Sequence, residues 1–251
     1  MHAPQTRPSL IVRLKGERNE RAWGEFVAAY EPNGSLRWVK QVSGPAQPDS
    51  HAVALLSDGG FVLNGTITPG AGTGRAVFGP GEPRETALVA TYFDMFLARY
   101  DANGLLSWAR LAPGAIPGTH TVVVLPGDQI AVAGTFGNSG VQPRADAVFG
   151  PGEPGETTLT RLPGPDLMNV FLAWYRPDGS VSAARIIAHG DFAGLSGAAA
   201  SSGGGVVIAG GYGGHIVLGP LDATPISYTK PGPTFIGNIG TEDIFVAAFL
   251  P

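Results

Sequence analysis

The sequence predicts an all-β protein built from copies of one strand-rich unit, on three observations. One string returns along the chain, an Asx-Gly pair falls at the same place in each complete copy, and no segment shows a sustained helical period. Residues 26–40 read Phe-Val-Ala-Ala-Tyr-Glu-Pro-Asn-Gly-Ser-Leu-Arg-Trp-Val-Lys. Residues 96–110 read Phe-Leu-Ala-Arg-Tyr-Asp-Ala-Asn-Gly-Leu-Leu-Ser-Trp-Ala-Arg, and residues 171–185 read Phe-Leu-Ala-Trp-Tyr-Arg-Pro-Asp-Gly-Ser-Val-Ser-Ala-Ala-Arg. A fourth copy begins at Phe245, so the steps are 70, 75 and 74 residues (26 to 96, 96 to 171, 171 to 245).

Within each copy, apolar residues alternate on a period of two, a turn follows at Gly34, Gly104 or Gly179, and a second alternating run resumes. That is the signature of a β-hairpin, whose strands take positions C and D of the repeat. A second hairpin, positions A and B, precedes each full copy. It runs from Ala52 through a turn at Asp58-Gly59-Gly60 to Thr66, returns around Pro126-Gly127-Asp128, and returns again around Gly203-Gly204-Gly205. Between B and C lies Val77-Phe78-Gly79-Pro80-Gly81-Glu82-Pro83-Arg84-Glu85-Thr86, repeated at residues 148–157 and decayed to Val217-Leu218-Gly219-Pro220-Leu221-Asp222. Strand-like residues after the first two copies predict that this long connection folds as a small hairpin of its own. The expected units are a partial one at 26–43, full ones at 51–111 and 121–188, and a partial one at 197–250.

Four short strands per unit, in about three and a half units of roughly 70 residues, predict a β-propeller-like array of four-stranded blades. Such a count leaves a ring open, and three closures are compatible with it. The chain is a segment of a larger propeller; or a homo-oligomer completes the ring; or residues 10–14 form an extra strand beside residues 244–250.

The strings at residues 94–110 and at Asp243-Ile244-Phe245-Val246-Ala247 resemble the bacterial SBBP-type β-propeller repeat. That family reads Asp-x-Phe-Val-Ala-Lys-Tyr-Asp, a glycine turn, and a strand containing tryptophan. Gly24 and Asn169 depart from the leading Asp, and Ala183 from the Trp. The resemblance implies the propeller fold and an extracellular or cell-surface location, and it implies no activity.

Composition narrows the function. Gly and Pro, 38 and 22 residues, make the chain turn-rich, and 43% hydrophobic residues supply enough apolar surface for a core. Charged residues are only 14%, the net charge is −4, and no Lys/Arg cluster occurs, which argues against nucleic acid as partner. No apolar run is long enough to span a bilayer, and no signal-peptide pattern opens the chain as given. The absence of cysteine excludes disulfides and thiolate metal sites.

Two sets of residues are candidates for chemistry. Glu82 with Glu85, and Glu153 with Glu156, place paired carboxylates on glycine-rich turns that suit Ca²⁺, against the simpler reading of solvated turn residues. His51, His120 and, less closely, His189 recur at steps of 69 residues near strand A, which would allow a metal ring at a propeller axis, against a plain role in inter-unit loops; His51 and His120 abut their strand A, whereas eight residues separate His189 from its own, which weakens the ring. Asp94 and Asp243, at the start of strand C, suit acceptance of backbone N–H bonds. No nucleophile elbow or phosphate loop appears. The expected function is therefore a non-enzymatic binding or scaffolding surface for protein or glycan. The alternatives are a lyase or hydrolase with its site at the axis, or a purely structural segment.

Overall fold

A computed structural model describes residues 11–15, 25–70, 74–137, 146–163, 168–229 and 243–249. The fold is all-β with a curled half-barrel sheet. Every sheet pairing among the described residues is antiparallel, as hairpin-connected strands require.

The first sheet holds β1 (Ile11–Lys15), β2 (Glu25–Tyr30) and β3 (Leu36–Val42), in that order. Of the three closures compatible with the repeat, the one through residues 10–14 is corrected here among the described residues. Ile11 lies opposite Ala29 and Lys15 opposite Glu25, so β1 takes position B of the first unit instead of pairing with the last strand. The alternation that suggested a closing strand fits any position beside an apolar edge.

The second unit is a four-stranded sheet: β4 (Gln47–Leu55), β5 (Phe61–Thr68), β8 (Asp94–Tyr100) and β9 (Leu106–Ala112). Between β5 and β8 the repeated Gly-Pro-Gly-Glu segment joins β6 (Gly74–Phe78) to β7 (Thr86–Ala90) as the expected small hairpin. The third unit repeats this with β10 (Ile116–Leu125), β11 (Gln129–Gly137), the hairpin β12 (Ala147–Phe149) and β13 (Thr157–Leu159), then β14 (Met168–Tyr175) and β15 (Val181–Ala200). The one helical turn among the described residues is a 3₁₀ turn at Pro126–Asp128, within the A–B turn.

β15 is 20 residues long and serves two units, joining β10, β11 and β14 to β16, β17 and β18 in one seven-stranded sheet. Its first half pairs with β14 as strand D, and its second half pairs with β16 (Val206–Leu218) as strand A of the fourth unit. Bulges between Gly190 and Phe192 and between Leu195 and Gly197 bend it at the junction. β16 then pairs with β17 (Ile226–Thr229) as the small hairpin and with β18 (Asp243–Phe249) as strand C. The Val217–Asp222 copy, which reads as decayed in sequence, thus keeps the hairpin.

Strands B and C are apolar on both faces, and the alternation sorts their side chains between neighbours. In the second unit Phe61, Leu63, Phe96, Ala98 and Tyr100 pack with Val27 and Val42 of the first sheet. Val62, Met95 and Leu97 point the other way and pack with Ile130, Val132, Phe136, Phe171 and Tyr175 of the third unit. Ala131, Ala133, Val170 and Leu172 in turn meet Leu195, Val206 and Ile208 of the fourth. Each of the three cores lies between consecutive units.

Glycine allows the closest approach at these seams. Gly114, at the corner between β9 and β10, has φ +79, and a Cβ there would collide with the carbonyl of Asp146 ahead of the next hairpin. Val148 N–H donates to Pro113 O at 2.9 Å beside it, as Ser43 and Val77 exchange backbone bonds at 3.0 and 2.6 Å one seam earlier. The Gly114→Ala variant is expected to lose about 3 kcal/mol, combining left-handed strain with a backbone collision. Gly81→Ala, at φ +76 in open space, should lose only about 1 kcal/mol. Urea midpoints compare the two, and equal losses would show that the seam tolerates a side chain.

Candidate functional site

The repeated carboxylates face the seams between units. Glu82 Oε1 accepts from Lys40 Nζ at 2.7 Å, across the seam with β3, while its Oε2 accepts the N–H of Leu106 at 2.6 Å, the first residue of β9. Glu153 does the same one unit later: Oε1 lies 3.2 Å from Arg110 Nε across the seam, and Oε2 accepts the N–H of Val181 at 3.1 Å. Asp222 holds the third position, with Oδ1 accepting from Arg185 Nη2 at 2.8 Å. Lys40, Arg110 and Arg185 end the string that first revealed the repeat, so each basic residue meets the acid of the following hairpin.

The second acid of each pair closes its own turn. Glu85 Oε2 accepts the N–H of Gly81 at 2.8 Å, and Glu156 Oε2 that of Gly152 at 2.7 Å. Ca²⁺ takes six to eight oxygens. The oxygens of Glu82 and Glu153 instead face N–H groups, and no group of three or more metal-capable side chains converges among the described residues. The geometry makes these carboxylates structural clamps.

His51 and His189 do not occupy equivalent places in the sheets. His51 fills the bulge between Ser50 and Ala52, with Nε2 3.2 Å from Thr66 Oγ1. In the fourth unit the residue at that bulge is Ser196. His189 lies earlier, in the strand D half of β15, opposite Asn169. The equal spacing of 69 residues in sequence therefore does not carry into equal places in the sheets. The side chain of His120 lies outside the described residues.

Asp94 behaves as its position predicts: Oδ2 accepts the N–H of Thr91 at 2.9 Å and Oδ1 that of Gly114 at 3.0 Å. Asn169, its counterpart, accepts the N–H of Leu162 at 3.3 Å. The side chain of Asp243 lies outside the described residues. The tyrosines are packing groups, since Tyr100 stacks on Phe61 at 4.9 Å and Phe61 on Trp38 across the seam at 5.6 Å. Burial pushes the Tyr100 and Tyr175 phenols well above their usual range, helped by the charges of Glu82 and Glu153 respectively.

One cleft gathers polar groups at the surface. It has a volume of about 570 Å³ and opens between the second and third units, beside the Arg84–Thr86 turn, β9 and the Pro177–Asp178 turn. Trp108 forms its floor, donating from Nε1 to Pro177 O at 3.0 Å beneath Gly179, whose missing Cβ would lie 2.7 Å from the ring. Arg110 sits over that ring at 5.7 Å. Arg99 is fixed by Pro177 O and Asp58 Oδ2, both at 2.8 Å. Arg84 donates only from Nη1 to Ser107 O at 3.1 Å, and its other N–H donors have no protein acceptor among the described residues. Sequence reading passed over Arg84 because it occurs in one copy alone, where the next has Gly155.

No family model matches the chain, and no curated protein is significantly similar to it.

Two outcomes follow from this geometry. Glu82→Ala should cost about 2 kcal/mol, because it strands the N–H of buried Leu106, while Lys40→Ala should cost under about 1 kcal/mol as a partly exposed ion pair. A double-mutant cycle by urea denaturation reads both, and a Lys40 loss equal to that of Glu82 would make the ion pair the dominant part. The second outcome concerns pH. Burial and the nearby His215 and Arg161 push the His189 pKa down, with Asp191 opposing. The unfolded chain then binds the proton more readily than the folded one, so this contribution is full above about pH 6.5 and is lost as pH falls below it. Replacing His189 with Gln should flatten the thermal midpoint between pH 7 and pH 5; an unchanged slope would sink the assignment.

Proposed function

We propose that the four-stranded units are blades of a propeller-like array, and that the array is a non-enzymatic surface binding protein or glycan. Support for the blade reading comes from the A–B–C–D order of the second unit, its return within the seven-stranded sheet, and the packing of the second unit's sheet between the first sheet and that one. The A strands also lie beside one another: β10 contacts both β4 and β15. Resemblance of the repeat to the SBBP type supports an extracellular or cell-surface setting.

The observation that carries the binding reading is the division of labour among charged groups. Glu82, Glu153 and Asp222 are engaged in joining the units, whereas among the described residues Arg84 keeps unpaired donors beside an open cleft. A guanidinium fixed at one end and free at the other suits a carboxylate or sulfate, which accepts two parallel N–H bonds. The cleft accordingly takes an acidic group of its ligand, and Arg99 and Arg110 fix the walls around it.

Arrayed glycans that include uronic acids and sulfated sugars, together with acidic peptides, test this. Binding to an acidic member is expected, and Arg84→Ala should weaken it about tenfold while leaving the thermal midpoint unchanged. Retention of full affinity by that variant would remove the cleft from the account, and turnover of a bound polysaccharide or ester would overturn the non-enzymatic reading.

A further inference from the structure

The C–D turn of the repeat carries a reactive pair of residues. An asparagine followed by glycine is open to attack on its own carboxamide, because no Cβ shields the glycine backbone nitrogen. Residues 33–34 and 103–104 are Asn-Gly, whereas the third copy has Asp178-Gly179. In all three turns the glycine N–H donates to the carbonyl three residues earlier: Gly34 to Glu31 O at 2.8 Å, Gly104 to Asp101 O and Gly179 to Arg176 O, both at 2.9 Å. The attacking nitrogens are therefore held alike.

The side chains they would attack are not. Asn33 Oδ1 accepts from Ser35 N–H at 3.0 Å and from Ser35 Oγ at 2.7 Å, two bonds that must break before Cγ can turn onto Gly34 N. Asp178 makes the same pair of bonds with Ser180, at 2.9 and 2.7 Å. They hold its carboxyl below the usual carboxylate range, so it stays ionised and resists attack by an amide nitrogen. In the second copy this role passes to Asp101, whose Oδ1 accepts the N–H of Asn103 at 2.8 Å and that of Leu105 at 2.9 Å. Asn103 is exposed, and its carboxamide has no hydrogen-bond partner among the described residues.

We propose that Asn103 is a self-modification site: it deamidates through a succinimide, and the isoaspartyl product loosens the seam between the first and second units. The Gly104 nitrogen loses its proton to solvent base and bonds to Asn103 Cγ, and the carboxamide nitrogen takes up a proton and leaves as ammonia. Water then opens the ring. Attack at Cγ breaks the new bond and leaves aspartate. Attack at the main-chain carbonyl of residue 103 breaks the original peptide bond, so the chain runs through Cγ and is one methylene longer. The aspartyl product fits, since Asp178 occupies the same place in the third copy. The longer chain does not, because Gly104 is buried against Trp38: a Cβ there would already lie 3.0 Å from the ring, which itself stacks on Phe61 of the second unit.

Ageing the 251-residue chain in warm, mildly alkaline buffer tests this, because tryptic cleavage places the two asparagines in separate peptides, residues 22–37 and 100–110. Mass spectrometry after chromatographic separation of the aspartyl and isoaspartyl forms reads each. Residues 100–110 should be modified about tenfold faster than residues 22–37, the factor that two hydrogen bonds impose. Ser35→Ala removes one of those bonds and should speed Asn33 about threefold while leaving Asn103 unchanged. The thermal midpoint of the isoaspartyl fraction should fall by about 3 °C. Asn103→Gln aged alongside, whose longer amide closes such a ring far more slowly, should keep its midpoint, as should freshly purified Asn103→Asp. Equal rates at Asn33 and Asn103 overturn the site, and so does an intact Asn103 under conditions in which the urea-unfolded chain is modified at both. An unchanged midpoint in the isoaspartyl fraction overturns its effect on the seam.

Discussion

Everything in this fold depends on burying sheets that are apolar on both faces. Strands β5, β8, β11 and β14 alternate large side chains to either side, and a lone unit would leave one of those faces in water. Leaving that apolar surface in water would cost roughly 25 cal/mol per Å². The units are stable because each completes the core of the next. Local signals such as the Asn33-Gly34 turn shape a unit, while the seams decide whether it persists.

The seams are held by polar groups that serve two units at once. A carboxylate on a tight turn receives the first N–H of its own outer strand and a cation from the unit before. This couples the registry of one sheet to the position of its neighbour, a geometric role that shape packing of Leu and Val alone would leave loose. Trp38 and Trp108 add a second coupling, because each lies beneath the turn glycine of the following unit, Gly104 or Gly179. Both oxygens of Glu82 and of Glu153 therefore face donors within the fold, while Arg84, outside the repeated pattern, lines the cleft.

Much of the unit was legible in the sequence. Period-two alternation and the Asx-Gly turns placed strands C and D within a residue or two, and the Gly-Pro-Gly-Glu segment foretold its hairpin. What escaped was relational. Lys40, Arg110 and Arg185 stood in the quoted strings, yet nothing local says that their partners are the acids one hairpin ahead. The looser fit of His189 to the histidine spacing has its cause in β15, which runs through the junction without a turn and so places His189 on strand D and Ser196 in the bulge. β1 was misplaced for a similar reason: five alternating residues fit any apolar edge, and only the sheet chooses between them.

The uninterrupted course of β15 has a consequence for how such an array is divided or extended. Elsewhere the passage from one unit to the next crosses a corner, at Gly44 or Gly114, where a boundary can fall between sheets. Between the third and fourth units a single strand belongs to both, within one seven-stranded sheet, so any excision there cuts through the middle of that sheet. The last two units consequently form one inseparable module, and copies gained or lost in tandem must be added or cut at the glycine corners that precede it.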